Sequence, residues 1–143
     1  MTLKQKMRHA RSLYAQWQMA ASAVMTELER RAGDFECDIP SVRTIQQTVA
    51  DAHQLPVSVM FSPIRSGSFS DARHMAMAIA RELTPHSLEE VGRCFGGRDH
   101  GTVMHAEKKI AARLETEPAF ARRYADMRES CRISLDQRKQ LAA

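Results

Sequence analysis

Two helical segments joined by a pair of glycines constrain the fold of this chain more than any other feature. Ser87 and Glu90 have the Ser-x-x-Glu spacing of a capping box, which predicts that a helix begins at Leu88. Gly96 and Gly97 then end that helix, because glycine adopts the positive φ angles of a tight turn. A second helix follows, and its inner face carries apolar residues three or four positions apart: Val103, Ala106, Ile110 and Leu114. A capped helix, a glycine turn and an amphipathic helix form the layout of a helix-turn-helix.

The remainder of the chain shows the same helical periodicity. Four more segments place apolar side chains at helical spacing, namely residues 41–52, 56–61, 70–83 and 118–131. Ser41 is positioned to cap the first of them and Pro56 to open the second. No stretch shows the sustained alternation of a strand. We therefore predict an all-α fold, a helical bundle containing the helix-turn-helix over residues 41–134, with a fraying tail at 135–143.

The first 32 residues predict one long amphipathic helix. They contain neither proline nor glycine, and their apolar residues recur in a heptad pattern: Leu3, Met7, Ala10, Tyr14, Trp17, Ala21, Val24 and Leu28. Gly33 suits the end of such a helix, and residues 33–40 predict a linker because they cluster Gly, Pro and acidic residues. Two interpretations stay open, since this helix can pair with a second copy as a homodimer or pack on the domain that follows.

Charge and hydropathy narrow the class of protein. The net charge of +4 favours a polyanionic partner. No apolar run approaches the roughly 20 residues needed to span a bilayer, and the first residues lack the apolar segment of a signal peptide. We expect a cytoplasmic, nucleoid-associated protein that does not bind a membrane.

The turn and the helix after it hold two histidines, an aspartate and a nearby cysteine, so a catalytic or metal site has to be considered. His100 and His105 are five residues apart, which separates them by about 500° of helical rotation. A zinc-binding helix places its histidines four residues apart on one face, and no third group completes a catalytic relay with Asp99. We therefore expect no enzymatic activity, no metal and no cofactor.

Nucleic-acid binding suits the same residues better. The second helix begins with hydrogen-bonding side chains: Arg98, Asp99, His100, Thr102 and His105. Arginine binds phosphate or guanine, aspartate accepts a hydrogen bond from cytosine, and imidazole donates to base acceptors. Lys108 and Lys109 follow on the outer side, where they suit phosphates. Double-stranded DNA is the partner that this pattern predicts.

Specific segments also resemble a known family. They are Arg73-His74-Met75-Ala76-Met77-Ala78, Glu82-Leu83-Thr84, His86-Ser87-Leu88, Val91-Gly92, Phe95-Gly96-Gly97-Arg98-Asp99-His100, Thr102-Val103 and His105-Ala106. Through them, residues 41 to about 130 resemble the C-terminal DNA-binding domain of the bacterial chromosomal replication initiator DnaA. In that family, the second helix of the helix-turn-helix reads the major groove of a short DNA box and a basic loop enters the adjacent minor groove.

The resemblance implies a role for each matching residue. It implies base contacts from Asp99, His100 and His105 in the major groove and from Arg65 in the minor groove. Contacts to the DNA backbone are expected from Arg73, His74, Arg98 and Thr102, to which Lys108 and Lys109 add positive charge.

Three departures from the family pattern qualify these roles. Gly101 stands where the family usually carries Ser or Thr, so recognition of one or two base pairs should change. The loop 62–72 has few charges beside Arg65, which predicts weaker binding that depends less on salt. The chain also has no phosphate-binding loop, so ATP hydrolysis is not expected and no nucleotide cofactor is implied.

These observations lead to one expectation and one alternative. We expect a sequence-preferring double-stranded DNA-binding protein that regulates transcription or replication initiation. The alternative is a protein-interaction module that acts through the N-terminal helix and has weakened DNA recognition.

Overall fold

The computed structural model describes residues 2–32 and 39–142, with side chains for residues 2–24 and 39–141. Its elements are α1 (Leu3–Ala32), α2 (Pro40–Ala52), a 3₁₀ helix (Val57–Met60), α3 (Gly67–Leu83), α4 (Leu88–Cys94), α5 (His100–Thr116) and α6 (Pro118–Ala142). No strand occurs in these described ranges, and the all-α prediction is confirmed. The predicted end of the first helix at Gly33 and most of the predicted linker 33–40 fall on residues 33–38, outside the described residues. The predicted end of the linker was wrong, because Pro40 already belongs to α2.

The core is built around α3. This helix contacts α2, α4, α5 and α6, and every side chain from Met75 to Ala80 is buried. Three of those six residues are alanines, which allow the neighbouring helices to approach closely. The surrounding helices contribute the apolar side chains that their periodicity predicts, among them Val42, Ile45, Val49, Val103, Ala106, Ile110, Phe120 and Tyr124. Phe95, at the end of α4, is fully buried in the same cluster.

Two predicted helix ends were wrong. Ser41 does not cap α2, because that helix already begins at Pro40, whose fixed φ suits the first helical position. The segment 135–143 does not form a frayed tail as far as it is described, since α6 continues to Ala142. This last part of α6 lies against α2, and Arg138 Nη1 donates a hydrogen bond to the Pro40 carbonyl at 3.2 Å. A tertiary contact thus holds a segment that its own sequence leaves weak.

The long N-terminal helix forms as predicted, but most of it lies outside the core. α1 contacts the 3₁₀ helix, and its side chains from Thr2 to Val24 are exposed except for the half-buried Ala21. The heptad residues from Leu3 to Trp17 are exposed with them, Leu3 by 77% and Trp17 by 64%. For residues 3–17, the interpretation that this stripe packs on the following domain is therefore wrong. Among the described helices, none is both long and apolar enough to cross a membrane.

Candidate nucleic-acid interface

The turn between α4 and α5 has the geometry of a tight helix-turn-helix. Ser87 Oγ accepts a hydrogen bond from the Glu90 backbone N–H at 3.2 Å, which confirms the predicted cap of α4. Gly96 and Gly97 have φ angles of 79° and 71°, so the glycine turn is confirmed as well. Behind the turn, α4 is in backbone contact with the segment that leads into α5.

That backbone contact is made at Gly92. The Arg98 N–H donates to the Gly92 carbonyl at 2.9 Å. A Cβ atom added to Gly92 would lie 2.2 Å from the Arg98 carbonyl oxygen. Only glycine therefore fits where α4 meets the segment that leads into α5.

Asp99 caps the N-terminus of α5. Its Oδ1 accepts hydrogen bonds from the Thr102 backbone N–H at 3.0 Å and from Thr102 Oγ1 at 3.2 Å. These bonds hold the pKa of the Asp99 carboxyl below its usual range. The side chain is exposed, and a carboxylate has about four acceptor positions, so Asp99 keeps acceptor capacity for a ligand. The cap also fixes the direction in which α5 starts.

An open trough of about 1190 Å³ lies in front of the turn and the first half of α5. We call this surface the polar trough; it is lined by Phe61, Pro63, Arg65, Ser70, Arg73, His74, Met77, Gly96, Arg98, Asp99, Gly101, Thr102, His105 and Lys109. The structure thus brings together most of the residues that the sequence singles out, although they come from separate parts of the chain. His100 and Lys108 are exposed on α5 but are not part of the lining.

Arg73 has a structural role that its sequence position did not reveal. The side chain is only 5% exposed. Its Nη1 donates to the carbonyls of Val59 and Ser62 at 3.2 and 2.9 Å, and its Nη2 to the Ile64 carbonyl at 2.7 Å. Burial and the neighbouring Arg98 lower the pKa of Arg73 to about 10, so the side chain keeps its charge at neutral pH. Arg73 holds the loop that carries Arg65.

Arg98 binds the same loop from the other side. Its Nη2 donates to the Ser62 carbonyl at 2.5 Å, and its Nη1 donates to the carbonyls of Met60 and Phe95. Burial, with Arg65 nearby, lowers the pKa of Arg98. Both arginines therefore converge on one carbonyl oxygen, that of Ser62. We call this arrangement the arginine clamp, and it joins the loop to the start of α5.

His74 and His105 lie together at the centre of the trough. Their ring centroids are 6.1 Å apart in an edge-on arrangement. Burial lowers the pKa of His74, and the positive charge of Lys109 and the neighbouring His105 lower it further. His74 is therefore neutral at pH 7, with one ring nitrogen that donates and one that accepts.

Gly101 leaves space at the first turn of α5. A Cβ atom placed there would meet only Asp99 Oδ1, at an ordinary contact distance of 3.4 Å. The backbone φ of Gly101 is not positive, and the residue is exposed. Nothing in the fold therefore requires glycine at this position. Within the described residues, no group of three or more His, Cys, Asp or Glu side chains is arranged to hold a metal ion.

Comparison with known proteins identifies the domain. The family described as the bacterial dnaA protein helix-turn-helix matches residues 42–110. The chromosomal replication initiator protein DnaA of Nitrosospira multiformis is 49% identical over 82 residues, which cover 57% of this chain and 17% of that protein. The corresponding protein of Laribacter hongkongensis is 47% identical over 92 residues, covering 64% of this chain and 19% of its own length. The chain thus spans less than a fifth of these relatives.

A solved structure supports the fold. The crystal structure of a DNA replication initiation factor superposes with a TM-score of 0.59 at 22% identity, covering 87% of this chain and 36% of that one. The resemblance drawn from the sequence is confirmed by the family match. Residues 42–110 of this chain therefore match the family described as the bacterial dnaA protein helix-turn-helix.

Proposed function

We propose that this protein binds double-stranded DNA, with α5 in the major groove and the Arg65 loop in the adjacent minor groove. The observation that carries the proposal is the convergence of Arg65, His74, Asp99, His105 and Lys109 on one open trough. A trough lined by donors and cations from two separate segments suits the phosphates and base edges of a duplex. The match of residues 42–110 to a helix-turn-helix family supports the same partner.

We propose that some side chains of this face read bases and that others position the protein. We assign base contacts to Asp99, the N-cap of α5, to His100 and His105 on its first two turns, and to Arg65. Backbone contacts are assigned to the remaining polar residues of this face: His74, Thr102, Lys108 and Lys109.

We assign Arg73 and Arg98 mainly to positioning the loop, although the resemblance implies that both contact the DNA backbone. A guanidinium has five N–H donors, and the hydrogen bonds of Arg73 to Val59, Ser62, Ile64 and Ser70 occupy both of its terminal nitrogens. We propose that the arginine clamp acts mainly by positioning Arg65. Direct phosphate contacts from these two side chains are then limited to the N–H groups that remain.

The biological role that we propose is regulation of transcription or of replication initiation at initiator-type DNA boxes, in the nucleoid. The DnaA family of the domain supports an initiator-type target. ATP binding is not part of this proposal, because the polar trough and the helix-turn-helix contain no phosphate-binding loop.

Two substitutions test the division between base and phosphate contacts. His105→Ala should reduce the preference for a box over a scrambled duplex by about 5- to 150-fold, equivalent to 1–3 kcal/mol. Lys109→Ala should weaken binding to both duplexes equally and reduce the slope of log affinity against log salt by about 0.9. Fluorescence anisotropy with labelled duplexes between about 50 and 200 mM salt measures both effects.

Each part of the proposal can fail separately. If the wild-type protein bound box and scrambled duplexes equally, sequence-preferring recognition would be rejected. If His105→Ala, like Lys109→Ala, lowered the affinity for the box and the scrambled duplex by the same factor, the assignment of His105 to a base would be wrong. The proposal that the protein binds DNA would still stand.

A second function is favoured by the exposed heptad stripe of α1. We propose that two copies of the chain pair through it, as a homodimer that presents two helix-turn-helix units. A helix of 30 residues is about 45 Å long, and two positions of its stripe, Ala10 and Ala21, are alanines that bury little apolar surface. We therefore expect a dimer that dissociates on dilution.

Sedimentation of the full chain checks this pairing. Tyr14→Gln combined with Trp17→Gln should convert a concentration-dependent dimer to a monomer without unfolding the protein, because both side chains are exposed. Met19→Gln is the matched control, since Met19 is 75% exposed but lies off the stripe. A wild-type protein that stays monomeric at all concentrations would contradict the homodimer.

A further inference from the structure

The exposed part of α1, residues 2–24, carries positive charges that no acidic residue of that segment balances. Residues 2–24 contain four cations and no acidic residue: Lys4, Lys6, Arg8 and Arg11. The whole chain has 21 Lys and Arg against 17 Asp and Glu. Outside residues 2–24 the two signs are equal in number, because residues 25–40 carry 2 Arg against 5 Asp and Glu while residues 41–143 carry 15 Lys and Arg against 12 Asp and Glu. The helix-turn-helix domain over residues 41–134, with 13 Lys and Arg against 11 Asp and Glu, thus has a smaller formal net charge than the exposed part of α1.

Three of these cations form a row along α1. Lys4, Arg8 and Arg11 are spaced i, i+4 and i+7, which places them on the same face of a helix. We call them the cationic row. All three are exposed, and within the described residues none of them makes an ion pair.

The cationic row is separate from the heptad stripe on the same helix. At about 100° per residue, its centre lies roughly a third of a turn from the centre of the stripe. Pairing of α1 with a second copy would therefore leave the row open to solvent. The row is available to a ligand whether the protein is a monomer or a dimer.

The polar trough is short of free cations. Arg73 and Arg98 direct their guanidinium groups to loop carbonyls, and Asp99 adds a negative charge. Arg65 and Lys109 are the lining residues with exposed positive side chains. Affinity for DNA depends strongly on how many phosphates a protein neutralises. A protein with this trough gains a large fraction of its affinity from any additional cations that reach the duplex.

We propose that the cationic row of α1 binds DNA phosphates in the flank of the sequence that α5 reads, an inference that rests on the proposed DNA binding. α1 lies against the 3₁₀ helix Val57–Met60, which leads directly into the loop that carries Arg65. The helix is thus anchored beside the minor-groove loop. Its 30 residues extend about 45 Å, the length of roughly 13 base pairs. This anchor favours DNA over an anionic lipid surface as the polyanion.

The test removes the row from the chain of 143 residues. Lys4→Gln, Arg8→Gln and Arg11→Gln are combined, and binding is measured on a box with about 13 base pairs of flank on each side. The control combines Arg122→Gln, Arg123→Gln and Lys139→Gln, which remove the same charge from exposed positions of α6. All six side chains are exposed, so neither variant should unfold.

Loss of the row should reduce the salt slope by about 2 to 3, because each phosphate contact contributes about 0.9. The control should leave the slope unchanged, and the preference for box over scrambled DNA should be the same in all three proteins. Trimming the flanks should lower the wild-type slope to that of the row variant. Equal slopes for the wild type and the row variant, or an equal loss in the control, would overturn the inference.

Failure of the proposed function and failure of this inference give different results. If the wild type showed no preference for the box, the proposed function would be rejected, whereas the difference in salt slope between the wild type and the row variant would still test the inference. Sedimentation with vesicles of anionic phospholipid tests the lipid alternative. If the row variant lost vesicle binding while its DNA slope equalled that of the wild type, the row would serve a lipid surface and the inference would be wrong.

Discussion

Replacing Gly92 with alanine should lower the free energy of unfolding by about 3 kcal/mol, the upper range for an overpacked site. The added methyl group would lie 2.2 Å from the Arg98 carbonyl oxygen, which is backbone and cannot rotate away. α4 and the segment leading into α5 must therefore move apart. The hydrogen bond from the Arg98 N–H to the Gly92 carbonyl would be strained by the same shift. Because Arg98 also belongs to the arginine clamp, binding to a box should be lost together with stability.

Urea denaturation of three alanine variants measures this effect. Gly67→Ala is the control, because no atom lies within 4 Å of a Cβ at Gly67 and its φ is not positive. Gly97→Ala separates strain from crowding, since its Cβ also meets nothing while its φ is +71°. We expect Gly97→Ala to cost about 1 kcal/mol and Gly67→Ala to be close to neutral. A Gly92→Ala variant as stable as Gly67→Ala would show that the two helices are not in fixed contact.

Changing Gly101 to threonine should strengthen binding to an initiator-type box by about 5- to 150-fold, equivalent to 1–3 kcal/mol. The new Cβ would meet only Asp99 Oδ1, at 3.4 Å, so the fold accepts a side chain here. Threonine supplies a methyl group that can contact thymine and a hydroxyl group that can donate to a phosphate or a base. Both groups would stand on the first turn of α5, beside the proposed base contacts.

Gly101→Ala is the matched control for this gain. Relative to glycine, alanine raises helix stability by up to about 1 kcal/mol and threonine raises it by less. Alanine brings no hydroxyl group. Equal gains for the two variants in the anisotropy assay would assign the effect to helix stability. Weaker binding by Gly101→Thr would show that the open space at Gly101 admits a phosphate close to the backbone N–H groups of α5.

The parts of the fold that the sequence predicts well are local. The cap at Ser87 and the glycine turn depend on residues within a few positions of each other, and the structure contains both. The buried face of α5 follows from helical periodicity in the same way, whereas α3 is buried on all sides from Met75 to Ala80, which periodicity does not predict. The trough residues near the start of α5 are predicted by their clustering in the sequence, whereas Arg65, Arg73 and His74 are predicted only by the resemblance to a family.

Other features depend on contacts between distant segments and could not be predicted in this way. Arg73 resembles a surface cation in the sequence, and only the position of the loop 59–64 shows that it is buried among carbonyls. The end of α6 is held by Pro40, almost a hundred residues earlier. For α1, periodicity indicated an apolar stripe but could not show whether the rest of the chain covers it. In each case the deciding partner is far away in the sequence.

The arginine clamp also determines how the protein tolerates changes in DNA spacing. The Ser62 carbonyl accepts from both Arg73 and Arg98, so the Arg65 loop and the start of α5 are tied to a shared atom. Two reading elements joined in this way keep a constant separation, whereas elements on independent loops adjust to each duplex. In the DNA complex that we propose, the distance between the base pairs read in the two grooves is therefore a property of the protein, and a duplex of different helical pitch must itself deform to satisfy both.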